Sequence, residues 1–130
     1  MTATPAPRPR PSSPRLSAGV ITADLTRLGA ELEHLHGHAA WAHVNVMDGV
    51  FCPQLTVGPA FVAAVASTGI PVDAHLMIEE PRRLLPEIAS WGIDVIVSGS
   101  AIFDRVDPAG NLDLLSAQLR TPEEVSDGQR

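Results

Sequence analysis

The chain contains no lysine and no tyrosine; all nine of its basic side chains are arginine. Without lysine, neither a Schiff-base mechanism nor a lysine-dependent phosphate loop can operate. Its single cysteine, Cys52, excludes an internal disulfide and is compatible with a reducing, cytoplasmic setting. No apolar run approaches the length needed to span a bilayer, so no membrane association is expected. The arginines near the start are not followed by an apolar stretch, so a secretory signal is not expected. A broad basic surface is also missing: the formal net charge of -6 argues against nucleic acid as a partner. The remaining composition is that of a globular protein, and 130 residues suit one domain.

Two stretches organise the rest. Trp41-Ala-His-Val-Asn-Val-Met47 alternates, with His43, Asn45 and Met47 on one side and Ala42, Val44 and Val46 on the other. That period of two predicts a strand, and Asp48-Gly49 reads as the turn that ends it. Val72-Asp-Ala-His-Leu-Met77 repeats the arrangement, with Asp73, His75 and Met77 sharing a face. If the two strands are parallel neighbours, both imidazoles can reach one site near the strands' C-terminal ends. Two metal-ligating histidines and two separately hydrogen-bonded core histidines both satisfy this pattern. Asp48 reads as a turn residue, and Asp73, lower on its strand, as structural.

Taken in order, residues 1–15 are rich in Pro, Ser and Arg and read as a disordered arm. A first strand is expected at 16–21, and Thr22 or Asp24 can cap a helix carrying Leu25, Leu28, Leu32 and Leu35, stopped by Gly37. His34, His36 and His38 cluster at that helix end, where histidines interact favourably with the helix dipole. The loop 48–58 is long for a strand-to-helix connection and suggests a functional loop. Pro59 suits a first helical position, with Phe61, Val62 and Val65 packing inward and Gly69 closing the helix. After strand 70–77, Glu79, Glu80 and Pro81 open a third helix with Leu84, Leu85 and Ile88 facing inward and Pro86 expected to kink or split it. Residues 93–97 read as a fourth strand covered on both faces. Gly99 and Ser100 follow directly, where small residues after a parallel strand make either a phosphate-binding turn or a plain tight turn. Asp107-Pro108 resembles a cap and first-position pair for a helix with Leu112, Leu115 and Leu119, and 121–130 reads as a disordered tail. The order is β-α repeated four times, an α/β fold with a parallel sheet, occupying residues 16–120.

Several of these segments resemble the ribulose-phosphate 3-epimerase family. They are Gly19-Val-Ile-Thr-Ala-Asp-Leu25, His43-Val-Asn-Val-Met-Asp-Gly49, Phe51-Cys-Pro-Gln-Leu-Thr-Val-Gly-Pro59 and Asp73-Ala-His-Leu-Met77. Val97-Ser-Gly-Ser-Ala-Ile-Phe103 is similar to that family's last barrel strand and phosphate turn. The resemblance implies a TIM-type (β/α) barrel that interconverts D-ribulose 5-phosphate and D-xylulose 5-phosphate in pentose phosphate metabolism. It implies a divalent metal (zinc, iron or manganese) held by two His and two Asp, the two Asp also moving the C3 proton. Carried over, His43 and His75 match the metal histidines, Met47 and Met77 the cavity methionines, and Gly99 and Ser100 part of the phosphate turn.

The chain departs from the family in three places. The first catalytic Asp falls at Asn45, and a serine of the first strand falls at Gly19. Four β-α units in place of eight make a partial barrel, since a full one takes about 200 residues or more. The fourth unit looks like the family's eighth, with the join near 87–92 and the segment for the second Asp absent. The expectation is an epimerase-family chain with impaired catalysis. The alternatives are a non-catalytic sugar-phosphate or protein-binding module, paired with a second copy or a barrel-completing partner, and an internally deleted relic.

Overall fold

A computed structural model describes residues 12–120; the arm and tail expected at the two ends lie largely outside them, in 1–11 and 121–130. Four strands, β1 (Ser17–Gly19), β2 (Trp41–Met47), β3 (Val72–Met77) and β4 (Val95–Val97), form one sheet in the order β1-β2-β3-β4. Every neighbouring pair is parallel. The connections carry α1 (Leu28–Glu33), α2 (Pro59–Ala66) and α3 (Pro81–Ala89), and α4 (Pro108–Leu119) follows β4.

The alternation in β2 and β3 becomes burial: Ala42, Val44, Val46, Val72, Ala74 and Leu76 are buried, and the residues between them are half-exposed. The buried face meets Leu32 of α1, Val62 and Val65 of α2, Leu85 and Ile88 of α3 and Leu115 of α4 in one core. All four helices therefore contribute to the same side of the sheet. A doubly wound sheet would be covered on both faces; helices on one face with a polar opposite face match a segment of barrel wall. The fold is the expected α/β partial barrel of four β-α units.

Local signals explain most of the boundaries. Asp24, rather than Thr22, caps the first helical segment by accepting from Thr26 N–H at 3.0 Å, whereas the Thr22 hydroxyl donates to the Gly19 carbonyl. Asp107 accepts from Gly110 N–H at 3.0 Å, with Pro108 in the first turn of α4. Pro59 opens α2, and Gly69 follows its end with φ +82°, a backbone conformation that glycine adopts without steric cost.

Five expectations need correction. β1 ends at Gly19 and turns into a 3-10 segment, Val20–Thr22, instead of running to Ile21. Leu25 lies in another 3-10 turn, Leu25–Arg27, and is exposed; the α-helix proper stops at Glu33, before Gly37. Pro86 does not split α3, which runs from Pro81 to Ala89 with the ring on an exposed turn. Leu84 and Leu112 stay partly exposed, because the core stripe of each helix is narrow and is filled by Leu85 with Ile88 and by Leu115. Finally, β4 is a three-residue edge strand covered on one face only: Val95 and Val97 are 43% and 38% exposed, and Ile96 alone turns toward the helices. Among the described residues, no helix is long and apolar enough to cross a membrane.

Candidate active site on the open sheet face

The register of the sheet decides which side chains meet. His43 lies opposite Asp73, Asn45 opposite His75, and Met47 opposite Met77. All six project from the face away from the helices, by the two-residue period of a strand. The two histidines are thus on neighbouring strands, displaced by one pleat, with ring centroids 6.2 Å apart and planes inclined by 57°. The expected pairing of the two imidazoles on one face is met. Met47 and Met77 close the same face at the strand ends, both half-buried.

Both nitrogens of His43 are engaged. Nδ1 contacts the Asp73 carboxylate, and Nε2 lies 3.0 Å from Asn45 Oδ1. The other Asp73 oxygen accepts from the Ser17 hydroxyl of β1. Ser17, Asp73, His43 and Asn45 make a continuous polar chain across three strands. Asp73 is therefore more than a strand residue, and the sequence signal for it was its place on the His75 face. Ser17 carried no signal, since its reach to β3 depends on the sheet register.

Asp48 behaves as a turn residue. Its carboxylate accepts from the backbone N–H groups of Val50 and Phe51, both at 2.9 Å, and of Glu79 at 2.8 Å. These bonds, that from Glu79 foremost, hold its carboxyl below the usual carboxylate range. The loop 48–58 folds back on β2 through Thr56. The Thr56 hydroxyl donates to the Asn45 carbonyl at 2.6 Å and accepts from Met47 N–H at 2.9 Å. A backbone bridge between Asp48 and Leu55 adds to this.

Gly99 and Ser100 stand exposed just past the end of β4. The Gly99 carbonyl accepts from Ile102 N–H at 3.0 Å and Phe103 N–H at 2.9 Å, so a tight turn does form there. Among the described residues, no acceptor takes the N–H groups of Ser100 and Ala101. Asn111 of α4 holds this turn by donating to the Ile102 carbonyl at 2.9 Å, while its own oxygen accepts from Arg82 of α3 at 2.6 Å. This clamp was not foreseen from the sequence; an asparagine in a helix carries no signal until its neighbours are known.

The donors on this face are two imidazoles, an amide oxygen and the Asp73 carboxylate, the last already engaged by Ser17 and His43. Among the described residues no group of three or more His, Cys, Asp or Glu side chains is arranged to hold a metal ion. Were a metal bound here, His43 and His75 would supply two donors where at least three protein donors are ordinary, so the described residues do not make a complete metal site by themselves.

Comparison with known proteins agrees with the motifs. The model of the "Ribulose-phosphate 3 epimerase family" matches residues 15–101. Ribulose-phosphate 3-epimerase of Bacillus subtilis (strain 168) is 42% identical over 84 residues, covering 63% of this chain and 39% of that protein. The Synechocystis sp. enzyme is 40% identical over 83 residues, 62% of this chain and 36% of its own length. Chloroplastic ribulose-5-phosphate-3-epimerase of Arabidopsis thaliana is 36% identical over 83 residues, 62% of this chain and 30% of the relative. The matched segment thus spans well under half of each relative. With that family's model matching most of the described residues, and with parallel β-α units carrying the motifs in order, the chain belongs to the ribulose-phosphate 3-epimerase family.

Proposed function

We propose that the open sheet face is a pentose 5-phosphate site that binds D-ribulose 5-phosphate or D-xylulose 5-phosphate but lacks the carboxylate base that the resemblance implies for efficient C3 epimerisation. Asn45 carries the proposal. It stands at the family's first catalytic Asp, beside His75 and within 3.0 Å of His43 Nε2. An amide oxygen does not take up a proton at useful pH.

Neither nearby carboxylate substitutes for it. Asp48 is held by three backbone N–H groups, with its carboxyl below the usual range, and so is a weaker base than a free aspartate. Asp73 already accepts from Ser17 and His43. Loss of general-base catalysis costs about 10²–10⁴ in rate.

In this reading Met47 and Met77 form the apolar wall, and the Gly99–Ser100 turn receives the phosphate through its N–H groups. The divalent metal implied by the resemblance (zinc, iron or manganese) would be a Lewis acid for the sugar carbonyl. It would need a donor beyond His43 and His75. Binding as proposed here therefore relies on the polar face and the turn alone.

Isothermal titration with D-ribulose 5-phosphate, beside a coupled epimerase assay, tests the proposal. Saturable binding with turnover reduced by at least two powers of ten from that of a full-length relative is expected. Turnover approaching the relative's rate would overturn it.

One observation favours a second reading, of the partners. β1 and β4 are both three-residue edge strands, and Val95 and Val97 are exposed on the inner face. Open parallel edges invite pairing, so strands of a second copy or of another chain would complete the wall. Light scattering on the purified chain tests pairing between copies: a dimer or higher assembly is expected, and a monomer at all concentrations contradicts that pairing.

A further inference from the structure

Asp73 is on β3, yet its carboxylate meets side chains from both β1 and β2. One oxygen takes the Ser17 hydroxyl, and the other faces His43 Nδ1. The Asp73 side chain is only 13% exposed, and that of His43 27%. Water therefore competes weakly for either group. A neutral imidazole carries one ring proton, on Nδ1 or on Nε2. Here Nδ1 faces a carboxylate and Nε2 faces the neutral amide of Asn45. A hydrogen bond to an ionised acceptor is roughly twice as strong as one between neutral groups. The carboxylate therefore wins the proton. An amide can present either its oxygen or its NH2 at the same place, so Asn45 then turns its NH2 toward Nε2.

We infer that Asp73, itself oriented by Ser17, is a positioning residue that holds His43 as the Nδ1–H tautomer. Nε2 becomes a lone-pair acceptor on the face shared with His75 and Met77. Only the NH2 of Asn45 has to be displaced for a ligand hydroxyl to donate to it. The opposite tautomer would present an N–H there and would leave the Asp73 carboxylate facing a bare nitrogen. The use of Nε2 for a sugar hydroxyl rests on the proposed pentose-phosphate reading; the tautomer does not.

Long-range 1H–15N correlation spectra of the imidazoles, recorded on the full labelled chain at alkaline pH, test the inference. For the unsubstituted protein, a His43 spectrum with the proton on Nδ1 is expected, with a cross-relaxation contact from that proton to the Asp73 β-protons. In Asp73→Ala, His43 is expected to move toward the Nε2–H form while the amide spectrum keeps its folded dispersion, which separates the loss of Asp73 from unfolding, since an unfolded histidine also favours Nε2–H. A wild-type Nε2–H tautomer overturns the inference, as does an Asp73→Ala variant that keeps Nδ1–H. If that variant does not fold, the wild-type tautomer and the contact to Asp73 decide: absence of either is a refutation. Failure of D-ribulose 5-phosphate to bind would remove the ligand reading and leave the tautomer result standing.

Discussion

Replacing Asn111 by alanine severs the clamp between α3, α4 and the Gly99–Phe103 turn. Asn111 is 8% exposed; it accepts from the Arg82 guanidinium at 2.6 Å, donates to the Ile102 carbonyl at 2.9 Å and also stabilises the Asp104 carboxylate. The first involves a charged donor and contributes about 1.5–3 kcal/mol; the second, between neutral groups, contributes about 1 kcal/mol. Arg82 retains only a 3.4 Å approach to the Ala101 carbonyl. Some of the loss is recovered as water reaches the guanidinium, so Asn111→Ala should destabilise the fold by about 2–4 kcal/mol. Urea unfolding should show a lower midpoint at unchanged slope. A double-mutant cycle with Arg82→Ala should return a coupling of about 1 kcal/mol or more. A loss below about 0.5 kcal/mol, within the range of ordinary surface substitutions, would refute the clamp. The same change should weaken sugar-phosphate binding, because the turn proposed to receive the phosphate loses its support from α4.

Ile88 is fully buried between α3 and the sheet, so Ile88→Ala should cost about 2–5 kcal/mol, measurable by the same unfolding experiment. Pro86 occupies an interior position of α3 and removes one helical hydrogen bond; Pro86→Ala should therefore stabilise the protein, by up to about 3 kcal/mol. Asp48 and Asp104 both have carboxyl groups held below the ordinary 3.8, Asp48 chiefly by Glu79 N–H and Asp104 chiefly by the Asn111 side chain. A depressed folded value means that their stabilisation is complete above about pH 3.8 and is lost as pH falls through the lower folded values. Acid unfolding should consequently be less steep in an Asp48→Asn, Asp104→Asn double variant, and an unchanged acid limb would contradict the assignment.

The fold was legible where one physical constraint acts alone. β2 and β3 each have one face against helices, so Ala42, Val44 and Val46 alternate with His43, Asn45 and Met47 in the sequence as they do in burial. Asp107-Pro108 and Pro59 mark helix starts through backbone chemistry that needs no tertiary partner. Legibility failed where the outcome depends on what stands alongside. The apolar run 93–97 suggests a strand covered on both faces; as the sheet's edge it is shortened to Val95–Val97 and leaves two valines exposed. Leu25, Leu84 and Leu112 continue a helical spacing but fall outside the stripe that the sheet accepts.

The site divides in the same way. The shared face of His43 and His75 follows from period two, but the contact of His43 with Asp73 and Ser17 follows from a register that no single strand encodes. Thr56, which ties the loop 48–58 to the backbone of Asn45 and Met47, was likewise hidden inside a segment whose length alone suggested function.

The claim most exposed to test is that Asn45 leaves the site without the carboxylate that would take the C3 proton. Exchange of the C3 proton of D-ribulose 5-phosphate with deuterated solvent, followed by NMR, reads proton abstraction directly, whether or not inversion follows. The account predicts exchange by the unsubstituted chain no faster than about one hundredth of the rate reached by Asn45→Asp, the smallest factor expected for general-base catalysis. Equal exchange rates in the two proteins, both above the uncatalysed background, would mean that another group takes the proton and would contradict the account.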